Sequence, residues 1–452
     1  MPKIFRKLLD HEYAWLRLLG IGLVLRIGLL IFMADEPLVS DALYYHQAAI
    51  NLVEHGQIDT YWPPGLPLYE AVVVWIFGKG EIWVRIAMLF WFFVLGRNLY
   101  HILYRLHSRL AANLGLLLLA LYPDLIHQSV EPLSYLPAAA LLLSVFGQMQ
   151  AYVDERRTRN LWRMGILIGL LILFRPSAAL FLIALPPLIL VRRKKLVPGF
   201  MIVLGAALAI GPWMYFASQQ EGSLVFINTS NTRNLYLGNN AWTPMYKTWR
   251  LGSRWAGDPT VPEGFQDAVE RLDRLPGSLR WQVEIQEARH EARSNPGRTT
   301  IRTLARMRTL FAFDTFAGSR LTWAKHPMAK AGYAVLGLEA VFWLVVGIGF
   351  LAFYWSEARR ELSGGTIAII AGFILIYSIP YWISFSHPTY HLTMVPLMLV
   401  PAAIWLERRV SQHSWPRWRK GQGWKAWLCI LLFLAIQVEW VIHMLFITTD
   451  AP

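Results

Sequence analysis

Long runs of apolar residues recur along the chain and constrain its fold more than any other feature. An α-helix needs about 20 residues to cross the ~30 Å hydrocarbon core of a bilayer. Hydropathy predicts eleven such spans, at about 14–33, 82–104, 110–123, 133–151, 162–174, 177–191, 197–217, 328–354, 366–384, 392–406 and 426–447. The sequence therefore predicts an all-α polytopic membrane protein, because backbone polar groups in lipid must be hydrogen-bonded within each span.

The composition is typical of this class of protein. Hydrophobic residues make up 55% of the 452 residues and charged residues only 16%, against about 25% in soluble domains. The net charge of +14 falls largely in short loops between apolar runs, so it predicts orientation in a membrane and does not indicate nucleic-acid binding. The single cysteine, Cys429, excludes an intramolecular disulfide and a cysteine-based metal site.

Loops rich in basic residues alternate along the chain with loops that contain few of them. The basic residues concentrate at the N-terminus and in the loops at 105–109, 156–163, 192–195, 359–360 and 408–425, which the positive-inside rule assigns to the cytoplasm. The other loops then face outside. The chain divides into residues 1–217, with seven spans and a first outer loop at 34–81, an outer segment at 218–327, and residues 328–452 with four spans.

The first outer loop holds the most polar stretch near the N-terminal membrane boundary. Ser40 is a candidate helix cap, and Asp41 would follow at the positive end of the helix dipole. Apolar residues at helical spacing predict a short surface helix that Gly56 ends. Asp41 is then either a helix-start charge or, beside the aromatic turn at 61–65, a catalytic acid. Residues 66–77 are too few to span and predict a second surface or re-entrant helix.

Other candidate site residues are predicted to lie on the same outer side of the membrane. Glu131 lies at the entry of the fourth span, Arg175 between two spans, and His387 and His391 on either side of Tyr390. Arg175 is either an interfacial arginine or a ligand for an anion. No HExxH, Walker loop, GxGxxG or GxSxG motif occurs in the sequence, so the usual signatures of zinc peptidases, nucleotide-binding proteins and serine hydrolases are missing.

Four stretches resemble the GT-C superfamily of integral-membrane glycosyltransferases, especially its bacterial branch related to protein O-mannosyltransferases and the lipid A aminoarabinose transferase. The stretches are SDALYYHQAAINLVEHG with YWPPGLPLY, FGKGEIWVRIAMLFWFFVLGRNLYHILYRL, NLYLGNNAWTP and SHPTYHLTMVPLMLVPAA. In the last, Thr389 stands where the family usually has an arginine, so His387 or His391 would have to replace that basic contact.

The resemblance implies a bundle of about eleven membrane helices with surface helices in the first outer loop. It implies an inverting transfer of a sugar from a polyprenyl-phosphate donor, with Asp41 as general base and Glu131 as a second acid. The candidate donor- and acceptor-binding residues are Tyr45, Tyr61, Trp62, Arg175, Arg233, Asn239, His387, Tyr390 and His391. The acceptor would be a glycan, glycolipid or protein. No cofactor is indicated, and the question whether the enzyme uses a divalent metal stays open.

Two alternatives compete with this interpretation. An O-antigen-type polymerase or ligase would also have a large outer loop with arginines, whereas a lipid or sugar transporter would place charges within its spans or repeat its halves. The early Asp41 motif favours the glycosyltransferase. The expected location is the bacterial inner membrane, with a cytoplasmic N-terminus and an active site that faces the periplasm.

Overall fold

The computed structural model describes residues 7–193, 196–248, 251, 261–322, 329–412 and 417–446. Parts of several predicted features lie outside the described residues: the N-terminal residues 1–6, the basic residues 194–195, residues 413–416 of the basic loop at 408–425, three stretches of the outer segment, and one end of the spans at 328–354 and 426–447. The described residues form α-helices and short 3-10 helices without a β-strand. The prediction of an all-α polytopic membrane protein is confirmed.

The helices of the first half follow the predicted order. They are α1 (Ala14–Phe32), α2 (Ser40–His55), α3 (Gly65–Phe77), α4 (Glu81–Leu106), α5 (Arg109–Leu121), α6 (Pro123–His127), α7 (Tyr135–Glu155), α8 (Thr158–Phe174), a 3-10 helix (Pro176–Ala179), α9 (Leu180–Arg193) and α10 (Val197–Glu221).

The second half begins with the outer segment. Its helices are α11 (Asn231–Gly238), α12 (Glu263–Asp273), α13 (Gly277–Ser294), α14 (Pro296–Leu310) and α15 (Phe316–Thr322). They are followed by a 3-10 helix (Ala329–Ala331), α16 (Gly332–Trp355), a 3-10 helix (Glu357–Glu361), α17 (Gly364–Ile383), a 3-10 helix (Pro388–Thr393), α18 (Val395–Gln412) and α19 (Gly423–Phe446).

Seven helices of the described chain are long and apolar enough to cross a membrane: α1, α4, α7, α10, α16, α17 and α19. The other four predicted spans correspond to the shorter or more polar helices α5, α8, α9 and α18. The total of eleven spans stays a prediction.

Small residues allow α8 and α10 to pack closely. Gly165 and Gly169 lie one turn apart on α8, and a Cβ at Gly169 would lie 2.7 Å from the carbonyl oxygen of Ala206 on α10. Glycines four residues apart let helix backbones approach in this way, which favours association in lipid through van der Waals contact. The pair fixes the position of α8 against α10.

A fully buried arginine in α1 fixes the loop that carries Glu131. The side chain of Arg26 donates from Nε to the Ser129 hydroxyl at 2.9 Å and from Nη1 to the Ala120 carbonyl at 3.0 Å, and it lies 3.6 Å over the Phe92 ring. A charge at membrane depth is costly unless it is paired with polar groups in this way. Arg26 therefore joins α1 to the turn that follows α6.

The outer segment is joined to the end of α17 by a second buried arginine. Arg306 on α14 donates to the carbonyl oxygens of Ile383, at 2.9 Å, and of Gly238. These bonds satisfy carbonyl groups at the ends of two helices at once. They hold α11 against the turn that contains His387.

The start of α2 differs from the prediction in one respect. Ser40 is the first residue of the helix and does not cap it: Val39 is the N-cap residue, and its side chain forms no capping hydrogen bond. The φ of Ser40 is +53°, a left-handed conformation that is uncommon for residues other than glycine. Such local strain often occurs at functional sites. The predicted end of the helix at Gly56 is confirmed, with a left-handed φ of +67°.

Candidate active site

A cavity of about 690 Å³ opens at one end of the helix bundle. It lies where the starts of α2, α7, α9 and α11 meet the ends of α8 and α17. Eight of the predicted site residues line it: Asp41, Tyr45, Tyr61, Trp62, Glu131, Arg175, His387 and Tyr390. The fold thus brings together side chains from separate segments of the chain at one end of the bundle.

Asp41 contributes a carboxylate to this cavity from the first turn of α2. Burial raises the pKa of Asp41 above that of a free aspartate, and the positive charge of Arg175 opposes the shift only in part. A carboxyl whose pKa is raised in this way binds a proton more readily than a solvated one. This property suits a general base.

Arg175 faces Asp41 from the end of α8 and is surrounded by tyrosines. Its guanidinium lies over the Tyr135 ring at 3.8 Å and near the Tyr390 ring at 5.6 Å. Tyr381 continues the aromatic wall, with its ring 4.8 Å from that of Tyr390 and its hydroxyl 2.9 Å from that of Ser177. In the part of the chain that is described, no carboxylate lies within 4.0 Å of the guanidinium. Arg175 is therefore positioned to bind an anionic ligand.

Glu131 is buried at another side of the cavity. Its Oε2 lies 3.4 Å from Nη1 of Arg85, and Arg85 also donates to the carbonyl oxygen of Glu36 at 2.8 Å. The second carboxylate oxygen, Oε1, has no hydrogen-bond partner among the residues described. Glu131 is thus held by one oxygen, and the other is buried without a hydrogen-bond partner in the described part of the protein.

Thr389, which departs from the family pattern, links two titratable groups. Its hydroxyl oxygen lies 2.8 Å from His387 Nδ1 and donates to Oδ1 of Asp314 at 3.0 Å. Burial lowers the pKa of His387 to about 4, so this imidazole is neutral at pH 7. Burial and the nearby charge of Asp124 raise the pKa of Asp314 to about 8. The expected basic contact is replaced here by a neutral hydrogen-bonded chain.

The remaining three candidates do not line the cavity. Arg233 forms ion pairs with Glu284, at 2.7 Å, and with Asp273. The Asn239 amide donates to the carbonyl oxygen of Ile383 at 2.9 Å. His391 is fully buried, with its ring 3.8 Å from that of Trp343 and its Nδ1 3.2 Å from the Leu310 carbonyl oxygen. All three side chains are thus engaged with other groups of the protein.

Comparison with solved structures identifies a fold relative. Over 94% of its length the chain superposes on the oligosaccharyltransferase of Archaeoglobus fulgidus in the apo form, with a TM-score of 0.50 and 16% sequence identity. The chain shares the fold of this enzyme. A second structure of that enzyme, in complex with Zn and sulfate, matches 93% of the chain at 15% identity and a TM-score of 0.49. The chain spans 55% and 51% of these two relatives.

The predicted fold is therefore confirmed at the level of architecture, whereas membership of the GT-C superfamily and of its bacterial branch stays a prediction. No family model and no curated protein matches the sequence. The described residues contain no group of three or more His, Cys, Asp or Glu side chains that could hold a metal ion.

Sequence reasoning missed several residues that shape the cavity. Tyr135 and Tyr381 belong to apolar runs and carry no signal that distinguishes them from membrane-interface aromatics. Asp314 had one available signal, because a lone acid among the aromatic residues of FAFDTF is unlike a solvated loop charge. Asn228, Asn231 and Asn234 also line the cavity, from a stretch that hydropathy marks only as polar.

Proposed function

We propose that this protein is a lipid-linked-sugar-dependent glycosyltransferase. It moves a sugar from a polyprenyl-phosphate donor to a glycan, glycolipid or protein acceptor, with inversion at the anomeric carbon. The observation that carries this proposal is the placement of Asp41, with its raised pKa, and Arg175, without a carboxylate partner in the described residues, in one cavity at the end of the bundle. The fold shared with the archaeal oligosaccharyltransferase supports it.

The chemistry follows from the placement of these two groups. A hydroxyl of the acceptor gives its proton to Asp41 as its oxygen attacks the anomeric carbon. The bond from that carbon to the phosphate oxygen breaks on the opposite face, and its electron pair leaves with the polyprenyl phosphate. The leaving phosphate gains charge, which Arg175 stabilises more in the transition state than in the ground state. A single displacement of this kind inverts the configuration.

Three further groups have proposed roles in binding. The free oxygen of Glu131 accepts a hydrogen bond from the acceptor, as a second acid. Tyr45, Tyr61 and Trp62 contribute aromatic surface beside the base. Ile183, which lines the cavity and is 68% exposed, marks a side where a prenyl chain enters from the bilayer.

Transfer assays with purified protein test this function. The protein is incubated in detergent with a labelled sugar on polyprenyl monophosphate and with envelope glycolipids, and in parallel with the matching nucleotide sugars. We expect transfer from the lipid donor, and none from nucleotide sugars, because the sequence has no phosphate-binding nucleotide loop. Transfer from a nucleotide sugar without a lipid carrier would refute the proposal.

We propose that the cavity faces the periplasm and that the N-terminus is cytoplasmic, in the inner membrane of a bacterium. The exposed side chains of Arg274 and Arg157 lie in regions predicted to face opposite sides. With Cys429 replaced by serine, Arg274→Cys should react with an impermeant maleimide in intact spheroplasts and Arg157→Cys should not. The reverse pattern of labelling would invert the topology.

A further inference from the structure

One wall of the cavity is built from neutral polar side chains of the outer segment. Asn228 and Ser230 precede α11, and Asn231 and Asn234 lie in its first turn. Residues three apart share a helix face, so Asn231 and Asn234 point in the same direction. We refer to the three asparagines at 228, 231 and 234 as the asparagine wall.

The asparagine wall has hydrogen-bonding capacity that the protein leaves unused. Asn231 is exposed, Asn234 is half-buried, and neither amide side chain forms a hydrogen bond with the described part of the chain. Asn228 is only 8% exposed and is oriented by its Nδ2, which donates to the Tyr61 carbonyl at 3.1 Å and the Ser230 hydroxyl at 2.6 Å. Its Oδ1 has no partner within the described ranges. The side-chain amides of Asn231 and Asn234 therefore each offer donors and an acceptor, and Asn228 offers an acceptor, which is the combination that sugar hydroxyls require.

Charge is absent from this wall but present elsewhere in the cavity. Apart from the neutral His387 and the tyrosines, the titratable side chains among the described residues that line it are Asp41, Glu131 and Arg175. Arg175 serves the phosphate, Asp41 the acceptor proton, and Glu131 is paired with Arg85. Arg233 is adjacent to Asn234 on α11 but is directed to Glu284. A charged group placed against the asparagine wall would therefore lose water without gaining an opposite charge from that wall.

A cluster of aromatic side chains around Trp62 also lines the cavity. The Trp62 ring lines the cavity, stacks on Tyr44 at 5.8 Å, and meets Tyr45 and Tyr61 edge-on at 5.6 and 5.1 Å. These contacts fix the orientation of a large apolar surface beside the polar wall. A sugar ring has the matching chemistry, with hydroxyl groups around its edge and C–H bonds on its faces.

We propose that the asparagine wall binds the hydroxyl groups of the sugar on the donor, and that this sugar is uncharged. The inference rests on the proposed function and deepens it by naming the class of sugar. Amino sugars with a free amine and uronic acids are then poor substrates, because the wall offers neither a carboxylate nor a guanidinium to pair with them.

The experiment compares donors that differ only in the sugar. Binding of polyprenyl phosphates that carry mannose, 4-amino-4-deoxyarabinose or glucuronic acid is measured with the full chain in nanodiscs, alongside the bare polyprenyl phosphate. We expect the mannose donor to bind at least about tenfold more tightly than either charged donor. Asn231→Ala and Asn234→Ala should each weaken binding of the mannose donor about 3–10-fold, as expected for a lost hydrogen bond. Binding of the bare lipid should be unchanged.

The matched control is Asn51→Ala, which removes an exposed asparagine of α2 that does not line the cavity. It should change none of these affinities. Equal binding of charged and neutral donors would overturn the inference, and so would a loss in the Asn231 and Asn234 variants that is the same for the bare lipid. In both cases wild-type transfer would leave the proposed function standing. Failure of the wild type to bind any polyprenyl phosphate would remove both.

Discussion

The guanidinium carbon of Arg175 lies 3.8 Å from the centre of the Tyr135 ring. An aromatic face stabilises a cation without neutralising it, typically by about 0.5–2 kcal/mol. A carboxylate in the same position would hold Arg175 in place but would compete with an anionic ligand. The tyrosine therefore lets the protein keep a positive charge near Asp41, which the proposed function assigns to the phosphate of a donor.

The first prediction concerns this aromatic support. Tyr135→Phe keeps the ring face and should retain most activity, whereas Tyr135→Leu removes it and should weaken donor binding about 3–30-fold. Titration of polyprenyl phosphate onto both variants measures the difference. Equal losses in the two variants would show that the hydroxyl, and not the ring, is what matters.

The second prediction concerns the base. Asp41→Asn preserves shape and removes the proton acceptor, so turnover should fall about 10²–10⁴-fold, the usual contribution of general-base catalysis. Donor binding should persist. Asp35→Asn is the control, since Asp35 is an exposed acid of the same loop that does not line the cavity. Wild-type turnover in Asp41→Asn would remove this residue from the mechanism.

The third prediction is a pH dependence. As the proposed base, Asp41 would have to be deprotonated, so the rate should fall as the pH drops through its pKa, which lies above the value of about 3.9 for free aspartate. Arg175 lowers this pKa, so Arg175→Gln should raise it further and move the acidic limb of the pH–rate profile to higher pH. Arg175→Lys keeps the charge and should leave the limb near its wild-type position. An unchanged limb in Arg175→Gln would show that another group titrates there.

The fourth prediction separates two roles of Glu131. Because its Oε2 pairs with the buried Arg85, Glu131→Gln should lower stability by about 1–3 kcal/mol, the cost of leaving a buried charge poorly paired. If its free Oε1 also binds the acceptor, the KM for acceptor should rise at temperatures where the variant is fully folded. Thermal unfolding in detergent and steady-state kinetics measure the two effects. A wild-type melting temperature would argue against the ion pair.

The fifth prediction tests how α11 is positioned. A Cβ at Gly238 would collide with the backbone of Ser384 in the turn before His387. Gly238→Ala should therefore lower the melting temperature and reduce activity, because α11 and the turn must separate. Gly297→Ala is the matched control in the same segment, where a Cβ meets no atom within 4 Å and alanine is favoured in a helix by up to about 1 kcal/mol. The control should be neutral or slightly stabilising.

Much of the architecture could be predicted because the governing forces are local. Twenty apolar residues in succession have few options other than a buried or membrane-spanning helix, and Gly56 ends α2 where its left-handed φ is required. Asp41 could be singled out for similar reasons, as an acid at a helix start next to an aromatic turn.

The tertiary structure alone decided which of the candidates share a cavity. Arg233 and Asn234 are neighbours in the sequence, yet α11 directs Asn234 into the cavity and Arg233 toward Glu284. Successive helical residues point about 100° apart, so the rotation of a helix against its neighbours selects the side chains that face a site. That rotation depends on distant contacts such as those of Arg306, which a local pattern does not contain. The sequence determined the helices and their apolar character, and packing determined which of their polar side chains meet.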